Sequence, residues 1–223
     1  MWKLPVIIVN FKLYHSGSGE RALNLAKSLD RVAEERDVSI AIAVNPLDFS
    51  RIRDEVNIPV MLQHVDPVPH GAHTGRINME LAKESGVEGL LINHSERRLT
   101  MADIDYLVQR ARELDMVSVV CTNNARVSGA VAFLNPDFVA MEPPELIGGE
   151  VSVSTARPEA IVETIDAVKS VRDIPVLVGA GIKNGNDVKK AIELGAKGVL
   201  VASGVVKAKD PERAINDLID GMM

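Results

Sequence analysis

Gly89-Leu90-Leu91-Ile92 runs directly into Asn93-His94-Ser95-Glu96-Arg97, and a second apolar run, Phe138-Val139-Ala140-Met141, ends in Glu142-Pro143-Pro144-Glu145. Each reads as a buried strand with an ionisable residue at its carboxyl tip. In a barrel of parallel strands that tip is where active sites are assembled, so His94 and Glu142 are expected to face one pocket from different strands. A carboxylate opposite an imidazole equips an enzyme that moves protons.

Outward from these two, short apolar runs bounded by turn residues recur at Val6 to Val9, Val38 to Val44, Pro59 to Leu62, Val117 to Val120, Pro175 to Val178 and Gly198 to Val201. Between them the periodicity becomes helical. Ala22, Leu25, Ala26, Leu29, Val32 and Ala33 repeat at three and four residues and leave Lys27, Asp30, Arg31 and Glu34 outward, which describes an amphipathic helix. Comparable stripes lie at Ile104, Leu107, Val108 and Ala111, at Ile161, Ile165 and Val168, and at Val188, Ala191, Ile192 and Leu194. With the shorter segments counted, eight strands alternate with eight helical stretches. The pattern predicts an α/β fold, a single (β/α)8 barrel over residues 1–223. A doubly wound sheet is the alternative, because periodicity does not show closure. No Gly/Ser-rich linker or shift in composition divides the chain.

With 223 residues, 46% of them hydrophobic, the chain can bury the core of one such barrel. A formal net charge of -6 favours solubility and argues against nucleic acid or an anionic membrane as partner, while leaving local charge in a cleft open. Cys121 is the single cysteine, so no intramolecular disulfide is expected. Its place after Val117-Ser118-Val119-Val120 predicts a partly buried thiol, suited to a reducing cytoplasm. Met1-Trp2-Lys3-Leu4-Pro5 enters the first strand without the regions of a signal peptide, and no apolar run approaches membrane-spanning length. The expectation is a cytoplasmic protein. His70 and His73 are close in sequence but lack a carboxylate at ligand spacing, and no strand-proximal Gly-x-Gly-x-x-Gly occurs. Neither a metal nor a dinucleotide cofactor is expected.

Together with Asn10-Phe11-Lys12 after the first strand, the motifs at His94 and Glu142 resemble those of the triosephosphate isomerase family. The resemblance continues through Gly71-Ala72-His73-Thr74-Gly75, Gly148 and Gly179-Ala180-Gly181-Ile182 to Ala202-Ser203-Gly204, in order and at successive strand ends. The compact length, and Gly-Ala-Gly-Ile where many members carry Tyr-Gly-Gly-Ser, are similar to the short archaeal branch. The resemblance implies a TIM barrel that interconverts dihydroxyacetone phosphate and glyceraldehyde 3-phosphate through an enediolate, without a cofactor, in glycolysis and gluconeogenesis. It also implies self-association, as a dimer or a tetramer, in which Thr74 reaches from the third loop to brace the neighbour's site.

The chemistry suits the residue types. A carboxylate, Glu142, can take a proton from carbon beside a carbonyl and return it to the next carbon. The charge left on oxygen calls for donors aimed at it. The resemblance assigns these to His94, as a neutral electrophile, and Asn10. In triosephosphate isomerases the base is a glutamate and the electrophile a neutral histidine, and the resemblance carries both roles over. Lys12 is expected to bring positive charge to the phosphorylated substrate, oriented by Glu96. Phosphate binding is expected from backbone N–H groups around Ile147, Gly148, Gly181, Ser203 and Gly204. Pro143 to Glu150 resembles the family's closing lid, but Gly149-Glu150 stands where Thr-Gly is common. Pro144-Glu145-Leu146 replaces Val-Trp-Ala, and Val178 replaces a latching tyrosine. Taken singly, each residue has a bland reading: a strand-capping glutamate, a structural histidine, a solvated lysine, glycines in turns. Competing functions are a phosphate-using aldolase with Lys12 as Schiff base, a sugar-phosphate epimerase, and a silent sugar-phosphate sensor.

Overall fold

The computed structural model describes residues 2–143 and 157–223. Eight strands close into a barrel in chain order: β1 (Val6–Asn10), β2 (Ser39–Val44), β3 (Val60–Leu62), β4 (Gly89–Ile92), β5 (Val117–Thr122), β6 (Phe138–Met141), β7 (Val176–Val178) and β8 (Gly198–Val201). Each neighbouring pair is parallel. So is the closing pair, in which Val6 pairs with Gly198 and Val9 with Val201. Closure excludes the doubly wound alternative.

Among the described residues the strands are joined by α1 (Glu20–Arg36), α2 (Pro46–Arg53), α3 (Met79–Glu84), α4 (Met101–Glu113), α5 (Ala125–Ala132), α6 (Pro158–Lys169), α7 (Gly185–Glu193), α8 (Ser203–Val206) and α9 (Pro211–Asp220). The stripe expected for α1 is its buried face, from Ala22 to Ala33. The stripe expected to reach Leu194 stops one residue earlier, at the end of α7, with Leu194 capping the helix. Helix starts after strands are marked by side-chain caps. Asn45 accepts from Leu47 and Asp48 at α2, Thr100 and Asp103 form a capping box at α4, and Asn124 and Asn184 cap α5 and α7. Such caps satisfy backbone N–H groups that a helix cannot pair internally.

Period-two alternation sorts the strand residues into two cores. Ile7, Val9, Ile40, Ile42, Leu90 and Ile92 pack outward under the helices. Val6, Ile8, Ala41, Met61, Leu91 and Val119 fill the barrel. Val178 belongs to the outer core and is fully buried there, so this position directs no side chain toward the barrel mouth. Trp2 stacks on Phe138, ring centroids 5.8 Å apart, and plugs the amino-terminal end. Cys121 follows the inward parity of Val119 and is completely buried, not partly as the sequence suggested. Burial, then the nearby Glu142 carboxylate, pushes its thiol pKa well above the ordinary value. No helix among the described residues is long and apolar enough to cross a membrane.

Candidate active site

Asn10 and Glu142 continue the inward parity of β1 and β6 and stand at the barrel mouth, 4% and 3% exposed. His94 cannot arrive by alternation, which from Leu91 sends Asn93 inward and the next residue out. Asn93 instead adopts φ 60. Its amide is clamped between Cys121 O, to which it donates at 2.9 Å, and the Leu99 N–H, which it accepts at 2.9 Å. Asparagine tolerates this left-handed conformation better than most residues, and it re-aims the chain so that His94 Nε2 lies 3.2 Å from Glu142 Oε1.

The imidazole is oriented from behind. Its Nδ1 accepts the Glu96 N–H at 3.2 Å, which leaves the ring proton on Nε2, the nitrogen facing Glu142. The Glu96 carboxylate approaches the same Nδ1 only to 3.6 Å, beyond hydrogen-bond range. It is engaged elsewhere, accepting from Lys12 Nζ at 2.9 Å. Lys12 lies at φ 49, its N–H donating to Asn10 Oδ1 at 3.0 Å. That bond turns the Asn10 amide so that its NH2 is free to donate. Glu142 Oε2 is buried and has no hydrogen-bond partner among the described residues. A buried carboxylate oxygen left open costs stability and provides a ready proton acceptor.

Asn10, Lys12, His94, Glu96 and Glu142 line one cavity of about 200 Å³, together with Gly181, Ser203 and Gly204. Gly181 sits at φ 69, in the region that favours glycine. A Cβ on Gly204 would lie 3.6 Å from Ile182 O, so the loops after β7 and β8 run side by side. Ser203 and Gly204 begin α8, and first-turn N–H groups have no acceptor within their own helix. Backbone donors without formal charge are thus present in the cavity wall. The expected phosphate residues Ile147 and Gly148, and the lid from Pro144 onward, lie outside the described residues.

Thr74 is not part of this cavity. It occupies the tip of the β3–α3 loop, where Pro69 to Arg76 are all exposed. The neck of that loop is fixed by Asp66, 3% exposed, which accepts from Ile77 N–H at 2.8 Å, Arg76 at 2.8 Å and Arg97 at 3.2 Å. Burial opposes its ionised form, but the Ile77 N–H, Arg76 and His64 outweigh that and lower its pKa to about 2. The loop therefore has a rigid base and a solvent-borne tip. Among the described residues no cluster of His, Cys, Asp and Glu could hold a metal ion.

Three contributors were given no role of their own by the sequence reading. Tyr14 and Gly179 also line the cavity, and a Cβ at Gly179 would come within 2.7 Å of Glu142 Cγ, so only glycine leaves the carboxylate its present position. Asn93 acts through its backbone turn. The glycine had a signal, since it follows β7 at the barrel mouth. Tyr14 had none, because its approach depends on how the first loop folds back.

A parallel eight-stranded barrel with a buried carboxylate against a histidine donor, and glycine loops lining the same cavity, defines a proton-transferring isomerase that acts on a small anionic substrate. The family model for triosephosphate isomerase matches residues 5–221. Relatives named triosephosphate isomerase align nearly end to end. The protein from Archaeoglobus fulgidus is 54% identical over 98% of this chain and 99% of its own. That from Methanothermus fervidus is 52% identical over the same shares, and that from Metallosphaera sedula 44% identical over 98% and 96%. The chain belongs to the triosephosphate isomerase family.

Proposed function

We propose that this protein interconverts dihydroxyacetone phosphate and D-glyceraldehyde 3-phosphate, with Glu142 as the carbon base. The observation that carries the residue assignment is the open, buried Oε2 of Glu142 beside an Nε2–H of His94 at 3.2 Å from its other oxygen. Glu142 takes the proton from the carbon beside the carbonyl. The C–H electron pair becomes the C=C bond of an enediolate, and the carbonyl π pair moves onto oxygen. His94 Nε2–H and the Asn10 amide meet that oxygen. His94 Nε2 gives its proton to that oxygen and takes one back from the neighbouring hydroxyl, and Glu142 returns the carbon-bound proton to the adjacent carbon as the second oxygen becomes the carbonyl. Lys12 holds positive charge near the phosphate, and the N–H groups of Gly181, Ser203 and Gly204, with Ile147 and Gly148, take its oxygens. The Lys12–Glu96 pair at 2.9 Å favours a charged, electrostatic lysine over a Schiff-base nucleophile.

The same reading makes residues 1–223 one barrel domain that works in the cytoplasm as a dimer or tetramer. Self-association is supported by the exposed Thr74 loop on its fixed neck and by two bare apolar side chains at the same end of the barrel, Leu13 and Leu47, 79% and 92% exposed.

The deciding experiment follows glyceraldehyde 3-phosphate in deuterated water by NMR, for wild type and Glu142→Gln. Conversion with deuterium entering at the reacting carbon, abolished in the variant, supports reaction and base together. A folded wild type that neither converts nor exchanges would overturn the reading.

A further inference from the structure

Lys12 must hold its ammonium at the cavity edge from a backbone conformation, φ 49, that residues with a Cβ avoid and that persists only where neighbours impose it. Its N–H is held by Asn10 Oδ1 at 3.0 Å. Its carbonyl is held by the Gln63 carboxamide, whose Nε2 donates to Lys12 O at 2.9 Å and to Ala43 O at 3.3 Å. Ala43 O also accepts the Phe11 N–H at 2.9 Å, so one carbonyl of β2 anchors both the residue before Lys12 and the amide that grips it. Gln63 itself is fixed to the barrel, its N–H donating to Val44 O at 3.1 Å one residue beyond the end of β3. It is not among the residues lining the cavity.

We propose that Gln63 is a positioning residue for Lys12: its carboxamide clamps the left-handed peptide that lays the Lys12 ammonium on Glu96 at the edge of the substrate cavity. Gln63 touches no substrate and acts only through Lys12. The proposal rests on reading Lys12 as the charge that meets the substrate.

The test is a double-mutant cycle read alongside a structure. Gln63→Leu keeps the size and removes the donor, and is expected to lower kcat/KM by about ten- to a hundredfold, the scale of an ångström-level misplacement. In a Lys12→Met background the same change is expected to cost less than about twofold, because its target is gone. Competitive inhibition by inorganic phosphate is expected to weaken in Gln63→Leu in the same direction as in Lys12→Met. Equal losses in both backgrounds, or kcat/KM within about twofold of wild type in Gln63→Leu, would overturn the proposal. A crystal structure of Gln63→Leu decides positioning without reference to turnover. Lys12 is expected to leave the left-handed region and its ammonium to leave Glu96, and an unchanged Lys12 turn with the pair intact sinks the idea. Should Lys12→Met turn over normally, the role of Lys12 fails while the structure still judges Gln63. If Gln63→Leu does not fold, Gln63→Glu, which sets an acceptor against two carbonyls, serves in its place.

Discussion

The two ends of the barrel are built from the same strands yet have opposite chemistry. β1 begins with Val6 in the barrel and ends with Asn10. β6 begins with Phe138, stacked by Trp2 at 5.8 Å, and hands on to Glu142. At the amino end the inward side chains are apolar and packed. At the carboxyl end Asn10, His94 and Glu142 are buried to nearly the same degree, 4%, 7% and 3% exposed, and one carboxylate oxygen has no partner among the described residues. Burial is shared and satisfaction is not. One end is packed and apolar, and the other keeps a buried carboxylate oxygen open among the described residues.

The sharpest way to break this division is Glu142→Gln. Loss of the base is expected to lower kcat by about a thousandfold, within the usual range for proton-transfer catalysis. Removing a buried charge with an open oxygen should leave the melting temperature unchanged or higher. Activity by NMR and stability by calorimetry on the same preparation check this, and a variant that loses both would place Glu142 among the supports of the fold. At the opposite end, Phe138→Ala is expected to cost about 3 kcal/mol of stability, measured by urea unfolding, with kcat per folded molecule close to wild type.

Asp66 sharpens the contrast from within the carboxyl half, because it is a buried carboxylate whose oxygens are filled. Its pKa, lowered to about 2, lies below the unfolded value. Its contribution is therefore fully present above about pH 4 and is lost as pH falls toward 2, a span of roughly 2 kcal/mol. Asp66→Asn should flatten stability across that window, and an unchanged slope between pH 4 and 2 would count against the carboxylate. The smallest effect is expected from Gly179→Ala. The added methyl, 2.7 Å from Glu142 Cγ, should displace the base and lower kcat about tenfold with little change in phosphate inhibition. A wild-type kcat would show that Glu142 reaches its working position without that space.

The strands were legible because each is a run of apolar residues ended by turn formers: Gly89–Ile92, Phe138–Met141 and Gly198–Val201 fall as expected, and the rest differ by one or two residues, as at Val6–Asn10 and Val117–Thr122. Cys121 was misread for a simple reason. It was judged by its place near the end of a run, whereas inward parity sets its burial. Asn10, Lys12, His94 and Glu142 were recognisable from their motifs, and the structure brings them to one cavity.

The amino-acid sequence by itself determined the alternation of strand and helix, the family, and the identities of the groups at the strand tips, since these follow from local periodicity and short motifs. Only the tertiary structure decided closure of the sheet, the turn at Asn93 that swings His94 toward Glu142, the space reserved by Gly179, and the grip of Gln63 on Lys12. Each of these joins residues distant in the chain or depends on a backbone angle, and neither is written in the spacing of side chains.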